Sequence, residues 1–215
     1  MSGPNSKEVV VKLYYSPGAC SLAAHIVASE ASLAIDLLKV DLATHRTETG
    51  ADYFKINPRG YVPALDIDGE VHTEVVALVQ YLAELAPQSE LLPGAGTMER
   101  FHVNQWLAFV QSELHKSFSP WLFDAKTAET TKQTARDKLA RRFAELDALL
   151  ATRPYLTGET FTVADAYAFT IINWANVLQV DLEPHPHLKA FLARVAARPR
   201  VRKALKAEGL VAATA

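Results

Sequence analysis

The chain has 215 residues, of which 49% are hydrophobic and 21% are charged, and its net charge is −2. This is ordinary globular composition for one large or two small domains. The chain has no excess of basic residues, so its charge does not favour a nucleic-acid or anionic-membrane partner. One cysteine excludes an internal disulfide, and no segment resembles a signal peptide or reaches the length of a membrane span, so we expect a soluble, cytoplasmic protein.

The first third of the chain alternates between strand and helix patterns. The order of predicted elements is a strand at 9–15, a helix at 19–31, a strand at 35–42, a polar connection at 44–50, a short helix at 51–55, strands at 62–67 and 70–72, and a helix at 74–86. The helix between the first two strands predicts that they pair in parallel. Asp68 and Gly69 predict a tight hairpin turn between the last two. We therefore expect an α/β domain over residues 8–87.

The composition changes after Pro87. Residues 88–97 are rich in Pro and Gly and predict a linker. No convincing strand pattern follows, so we predict an all-α domain over 98–215. Its predicted helices are one at 98–118, one marked by Leu139, Phe143, Leu146 and Leu150, a buried one at 163–178, and one marked by Leu188, Phe191, Leu192 and Val195.

Cys20 follows a strand and a Pro-Gly turn, at the start of a predicted helix. Free N–H groups and the helix dipole at such a position lower the pKa of a thiol and make its sulfur nucleophilic. The alternative is an inert cysteine that fills core space, and position alone leaves both interpretations open. The hydroxyl of Ser21 is placed to cap the helix or to donate to a sulfur. Ala23 stands where a second redox cysteine would lie, which excludes a two-cysteine cycle within the chain.

Two further positions suit ligand binding. The proline of Val62-Pro63 stands at the start of a strand, where a cis bond exposes the preceding backbone, although an ordinary trans proline is the common alternative. Glu74 opens a helix, where the dipole alone is sufficient to explain a carboxylate. The functional alternative is that Glu74 binds the ammonium group of a ligand while free N–H groups bind its carboxylate.

The helical half offers a polar stripe and a capping box. His115 and Lys116 lie near the end of the predicted helix 98–118, either on the wall of a cleft or on a solvated face. Thr162 and Asp165 form a capping box that starts the most apolar helix, so we expect Asp165 to accept the N–H of Thr162 and to serve folding. The histidines and the cysteine show no metal-ligand spacing.

Together these segments resemble the glutathione S-transferase family, most closely its bacterial beta class. The matching segments are KLYYSPGACSLAAHIV, VDLATHRTETGADYFKINPRGYVPAL, ERFHVNQWLAFVQSELHKSFSP and TFTVADAYAFT, in that order. The resemblance implies a thioredoxin-like N-terminal domain, an all-helical C-terminal domain, a homodimer and glutathione as co-substrate. It also implies that Cys20, with Ser21 beside it, faces the glutathione sulfur. Val62 would pair with the cysteinyl backbone of glutathione, before a cis-proline at Pro63.

The resemblance also implies sites for the two ends of glutathione. Glu74 and the N–H of Val75 match the γ-glutamyl site, and His45 and Arg46 fall where the class usually has two lysines near the glycine carboxylate. Val75 departs from the usual Ser or Gly, which removes a hydroxyl, and His45 replaces a lysine, which makes that contact pH-dependent. The residues that match the helical wall of the cleft are Ser112, His115 and Lys116, and Ala108 replaces an Asn of close relatives.

The sequence leaves the reaction open. A conjugating enzyme would lower the pKa of the glutathione thiol with donors at Cys20 and Ser21, and transfer it to a small apolar electrophile. A thiol transferase would use Cys20 as the nucleophile against a disulfide. The alternatives are a glutaredoxin-like thiol-disulfide reductase and a non-catalytic ligand-binding or regulatory module on the same fold. The aromatic candidates for contact with the second substrate are Tyr15, Phe118, Trp121 and Trp174.

Overall fold

The N-terminal part of the protein is built on a five-stranded mixed sheet with helices packed against it. The computed structural model describes residues 11–211, so the first two residues of the predicted strand 9–15 lie outside the described residues. The elements are β1 (Val11–Tyr15), α1 (Ser21–Glu30), β2 (Asp36–Asp41), β3 (Arg46–Thr47), a 3-10 turn (Tyr53–Lys55), β4 (Ala64–Ile67), β5 (Glu70–His72) and α2 (Val75–Glu84).

The sheet has the strand order β3-β2-β1-β4-β5. β1 runs parallel to β2 and antiparallel to β4, which confirms the predicted crossover through α1. Asp68 and Gly69 both have positive φ, at 51° and 92°, as a two-residue hairpin turn between β4 and β5 requires. The short strand β3 was not predicted, because its two residues carry no alternating apolar pattern and are ordered by pairing with Val40 and Asp41.

The rest of the described chain is helical. Its elements are a 3-10 turn (Pro87–Ser89), α3 (Met98–Phe109), a π-helical segment (Val110–His115), α4 (Lys116–Phe118), α5 (Glu129–Leu150), α6 (Val163–Ile172), α7 (Trp174–Leu178), α8 (Pro186–Ala196) and α9 (Pro199–Ala207). Together with the mixed sheet, they form a thioredoxin-like domain followed by an all-helical domain, as expected.

Two predicted helices are not continuous. The helix predicted at 98–118 widens into the π-helical segment, where Ser112 donates to the carbonyl of Ala108 at 2.9 Å and Ser117 to that of Glu113 at 2.7 Å. Serine bonds of this kind to the preceding turn perturb a helix, and π-helical turns occur frequently at functional sites. The helix predicted at 163–178 is interrupted at Asn173, whose side chain donates to the carbonyl of Phe169 at 2.8 Å.

One apolar core joins the two domains. Every residue of α6 is buried, and α1 packs against α2, α6 and α9 so that nearly all its side chains are buried as well. The same cluster includes Leu13 of the sheet, Ile26 of α1 and Ile171 of α6. Because α1 is enclosed by the helical domain, the loop that precedes it lies where the two domains meet. No described helix is long and apolar enough to cross a bilayer.

Candidate functional site

The loop between β1 and α1 is closed by Ser21. The Ser21 hydroxyl accepts the N–H of Ser16 and donates to the carbonyl of Ser16, both at 3.2 Å, and the side chain is fully buried. It neither caps α1 nor points a donor at a ligand sulfur, in contrast to the prediction from the sequence. The physical reason is that both hydrogen-bonding functions of the hydroxyl are used within the loop.

The helical domain holds the same loop from the other side at Gly18. The Gly18 N–H donates to Oε2 of Glu208 at 2.9 Å, and the Trp174 indole donates to the Gly18 carbonyl at 2.8 Å. The other oxygen of Glu208 lies 2.8 Å from Nδ1 of His25, and both side chains are buried. The position of Cys20 therefore depends on two distant parts of the chain. Sequence reasoning missed Glu208, although it is the only acidic residue after Glu183.

Cys20 stands immediately before α1, and its thiol donates a hydrogen bond to the carbonyl of Val62 at 3.1 Å. Burial raises the pKa of this thiol to about 12 and outweighs the N–H groups of Cys20 and Ser21 and the charge of Lys116, which lower it. The prediction of a depressed pKa from the helix position is therefore wrong for the ligand-free protein. Desolvation destabilises the thiolate by more than these donors and this charge stabilise it. The thiol is neutral at physiological pH and acts as a donor.

The Val62–Pro63 bond is cis, which confirms that prediction. Val62 is buried, and its carbonyl faces the Cys20 thiol. The preceding carbonyl, that of Tyr61, accepts from Asn57 Nδ2 at 2.7 Å and from the Tyr53 hydroxyl at 2.8 Å. These two bonds fix the approach of the chain to Val62. A second cis bond joins Ser119 and Pro120.

Glu74 has a backbone conformation that residues other than glycine rarely adopt, with φ +74° and ψ 108°. Such a residue costs about 1–3 kcal/mol, and these outliers cluster at ligand sites. Its carbonyl accepts from Ala77 and Leu78, so α2 begins directly after it, and the N–H groups of Val75 and Val76 have no intrahelical partner. The Glu74 side chain is paired within the protein, because Arg59 Nη1 donates to its Oε1 at 2.7 Å.

His45 and Arg46 lie on the turn that enters β3. His45 has φ +51°, its ring packs on Phe54 at 4.3 Å between centroids, and its buried Nδ1 has no hydrogen-bond partner among the described residues. A Cβ at Gly60 would lie 2.9 Å from this ring, so Gly60 leaves room for it. Arg46 is exposed and donates to the carbonyl of Gly50 in its own loop at 3.0 Å.

In the helical domain, His115 and Lys116 differ in their exposure to solvent. His115 Nδ1 lies 2.6 Å from the Tyr167 hydroxyl, and its ring contacts Trp174 edge-on at 5.1 Å. Burial, aided by Lys116, lowers the pKa of His115 to about 4, so the ring is neutral. Lys116 is exposed and lies close enough to Cys20 to favour a negative charge there. The Ser112 hydroxyl is bonded within its own helix.

The structure thus brings Cys20 into contact with the carbonyl of Val62, within range of the charges of Lys116 and Glu74. Tyr167, which sequence reasoning missed, has a raised pKa, mainly because its hydroxyl is buried and to a lesser extent because Cys20 and Glu74 lie within electrostatic range.

The aromatic candidates separate into core and surface. Tyr15 and Phe118 are buried in the core. Trp174 is buried and anchors the loop at Gly18, whereas Trp121 is 45% exposed. Phe123, which sequence reasoning missed, is 49% exposed and packs edge-on against Trp174 at 5.0 Å. Among these aromatic side chains, solvent therefore reaches mainly Trp121 and Phe123. Within residues 11–211, no group of three or more His, Cys, Asp or Glu side chains is arranged to hold a metal ion.

Comparison with known proteins matches both halves of the chain to one family. The family model described as glutathione S-transferase, N-terminal domain, matches residues 18–85, and the one described as glutathione S-transferase, C-terminal domain, matches residues 102–199. Glutathione S-transferase GstA of Escherichia coli O157:H7 is 44% identical over 201 residues, which cover 93% of this chain and 100% of the relative.

Two solved structures are similar over the same length. A sphingomonad glutathione S-transferase complexed with glutathione aligns with a TM-score of 0.88 and 42% identity, covering 93% of this chain and 100% of the other. A bacterial beta class glutathione S-transferase of Sphingomonas chungbukensis aligns with a TM-score of 0.89 and 43% identity, with the same coverage. Family models, relatives and fold agree over nearly the whole chain, and the protein belongs to the glutathione S-transferase family.

Proposed function

We propose that the protein is a glutathione transferase that conjugates glutathione to small apolar electrophiles in the cleft around Cys20. The observation that carries this proposal is the hydrogen bond from the Cys20 thiol to the carbonyl of Val62, beside the start of α1. The names of the similar proteins support it, since GstA is a glutathione S-transferase and the sphingomonad enzyme was solved with glutathione bound.

Glutathione would lie across the cleft with its sulfur at Cys20. The backbone of Val62, which directly precedes the cis bond, supplies strand-like hydrogen bonds to the cysteinyl part. The γ-glutamyl end lies at Glu74 and the N–H of Val75, and the glycine end extends towards His45 and Arg46.

In this arrangement the chain lowers the pKa of the glutathione thiol rather than that of Cys20. The Cys20 thiol turns from the carbonyl of Val62 to donate to the glutathione sulfur, and the N–H of Ser21 and the charge of Lys116 add to the stabilisation of a thiolate there. That thiolate attacks the electrophilic carbon, so a sulfur–carbon bond forms and the leaving group departs with the bonding electrons. Ser112 and His115 form the adjacent wall, and His115 remains neutral.

Thiol transfer is the second candidate, since the Cys20 sulfur lies where the glutathione sulfur would approach. In that reaction the Cys20 thiolate would attack a disulfide that contains glutathione, forming a mixed disulfide with glutathione and expelling the other sulfur as a thiolate. A second glutathione thiolate would then attack the mixed disulfide, releasing the Cys20 thiolate and leaving as glutathione disulfide. The raised pKa of Cys20 disfavours this route in the ligand-free protein.

Two substitutions at Cys20 separate the candidates. Cys20→Ser keeps a hydroxyl donor but removes the nucleophilic sulfur, whereas Cys20→Ala removes both. Conjugation predicts that the Ser variant keeps most of its activity towards an aryl halide and that the Ala variant loses more. Thiol transfer predicts that both variants lose glutathione–disulfide exchange completely. Equal conjugating activity in all three proteins would show that the Cys20 thiol does not assist the glutathione sulfur.

The γ-glutamyl contact has its own test. If Glu74 pairs with the ammonium group, Glu74→Gln should weaken glutathione binding by about 1.5–3 kcal/mol, the range for hydrogen bonds to charged groups. Calorimetric titration measures this directly. Unchanged affinity would mean that Glu74 only starts α2, and no binding to the wild type at millimolar glutathione would defeat the proposed function.

We further propose a homodimer that acts in detoxification in the cytoplasm, with the glutathione-binding domain at 8–87, the linker at 88–97 and the helical domain at 98–215. A set of exposed apolar side chains supports a partner surface: Phe54, Tyr61, Leu85, Met98 and Phe101. Light scattering that gives the monomer mass at micromolar concentration would contradict the dimer.

A further inference from the structure

The ion pair between Arg59 and Glu74 lies at the γ-glutamyl end of the cleft. Arg59 Nη1 is 2.7 Å from Glu74 Oε1, and the two side chains are 66% and 60% exposed. Ion pairs with this exposure contribute only about 0–1 kcal/mol to stability. A positive and a negative group are nevertheless held side by side, next to the strained backbone of Glu74 and the unpaired N–H groups that begin α2.

This juxtaposition matches the head group of an amino acid. The γ-glutamyl end of glutathione carries an α-ammonium and an α-carboxylate on one carbon atom, so a complementary site needs one anion beside one cation. Glu74 supplies the anion. Val75 is apolar and buried, so at that position only its N–H remains for the carboxylate. The start of α2 thus offers the carboxylate only backbone N–H groups, and a charged donor must come from another residue.

Arg59 is placed to be that donor. Its backbone is fixed by Asn57, whose Oδ1 accepts the Arg59 N–H at 3.2 Å and whose carbonyl accepts the Gly60 N–H at 2.9 Å. Among residues 11–211, its guanidinium has Glu74 as its hydrogen-bond partner, through Nη1 alone. A guanidinium has five N–H donors, so the others remain for a carboxylate bound beside Glu74.

We propose that Arg59 is a specificity-determining residue that binds the α-carboxylate of the γ-glutamyl group, while Glu74 binds the α-ammonium. Arg59 thereby replaces the hydroxyl donor that Val75 lacks. This inference rests on the proposed function, since it assigns a role within the same glutathione site.

The test compares two ligands in a thermodynamic cycle. Glutathione and γ-aminobutyryl-Cys-Gly, which lacks only the α-carboxylate, are titrated calorimetrically into the wild type and Arg59→Ala. We expect Arg59→Ala to bind glutathione about tenfold more weakly, the effect of losing a charge-assisted hydrogen bond. The analogue, which has no carboxylate for Arg59, should bind both proteins equally. Arg59→Lys, which keeps the charge, should recover part of the loss.

Arg46→Ala is the matched control, because Arg46 is also an exposed arginine but lies towards the glycine end. Arg46→Ala should weaken the binding of glutathione and of γ-aminobutyryl-Cys-Gly by the same factor, since both ligands carry the same glycine end. A third ligand, glutaryl-Cys-Gly, lacks only the ammonium and should remain sensitive to Arg59→Ala.

Two results would overturn the inference while leaving the proposed function intact. One is glutathione affinity that is unchanged in Arg59→Ala. The other is an equal loss for glutathione and for γ-aminobutyryl-Cys-Gly, which would mean that Arg59 acts without contacting the α-carboxylate. Absence of glutathione binding to the wild type would instead defeat the proposed function itself.

Discussion

Asp165→Ala should destabilise the fold by more than the loss of an ordinary helix cap. Asp165 is fully buried, and its Oδ2 accepts the N–H of Thr162 at 2.8 Å and the Thr162 hydroxyl at 2.9 Å, as the sequence predicted. The structure adds a third bond, because Oδ1 accepts the N–H of Leu156 at 2.8 Å. One carboxylate therefore starts α6 and also holds the segment that leads into it.

The expected decrease in the free energy of unfolding follows from the hydrogen-bond donors that lose their acceptor when Asp165 is replaced. A missing cap costs about 0.5–2 kcal/mol, and a buried donor without an acceptor costs about 1–3 kcal/mol. With the N–H groups of Leu156 and Thr162 both unpaired, Asp165→Ala should lower the free energy of unfolding by about 2–5 kcal/mol. Thr162→Ala is the matched control. It removes one hydroxyl but leaves both backbone bonds, so its loss should be smaller.

Urea titration of the three proteins measures these differences, and glutathione affinity should not change. Burial raises the pKa of Asp165 to about 6, above its value of 3.8 in the unfolded chain. A carboxyl with a raised pKa stabilises the fold most below the unfolded value and less as pH rises through the folded value. The difference in the free energy of unfolding between the wild type and Asp165→Ala should therefore become smaller as the pH rises from about 4 to 6. A loss no larger than that of Thr162→Ala would refute this reasoning.

Three further predictions concern the cleft. Alkylation of Cys20 by iodoacetamide in the ligand-free protein should show an inflection above about pH 8.5, since burial raises the pKa of the thiol, and a lower inflection would contradict this. His115 has a lowered pKa, so the free energy of unfolding should rise from about pH 4 to 6.5 as the unfolded chain loses its extra proton. His115→Asn should flatten that rise, and an unchanged slope in urea titrations would count against it. Glu208→Ala leaves the Gly18 N–H without its acceptor, so hydrogen exchange of that amide should accelerate and stability should fall by about 1–3 kcal/mol. Undiminished protection of the amide would show that Glu208 does not hold the loop.

Most of the fold could be predicted from the sequence because local patterns decide it. β-branched and aromatic runs mark the strands, and Asp68-Gly69 determines its turn by backbone preference alone. The elements that were missed depend on partners elsewhere. β3 is ordered by the neighbouring strand, and α9, which was not predicted as a separate helix, buries Val201, Ala204 and Leu205 in the core shared with α1.

The placement of the candidate residues could be predicted from the sequence, but their electrostatics could not. Cys20, Val62 and Glu74 come together as expected, because short motifs place each of them at the end of an element. The pKa of Cys20 was not predictable, since desolvation depends on everything packed around the sulfur. The hydrogen bond from the Gly18 N–H to Glu208, which tethers the loop, could not be predicted either, because no local sequence pattern connects the two residues.

That tether has a consequence for the order in which the protein acquires its activity. Gly18 and Glu208 are 190 residues apart, and synthesis delivers the N-terminal segment first. The sheet has all its strands long before Glu208 leaves the ribosome, yet until then the loop before Cys20 lacks the acceptor for its Gly18 amide. A nascent chain can thus have a formed sheet and an unshaped thiol site, and reactivity at Cys20 becomes a reporter of when the helical domain closes over it.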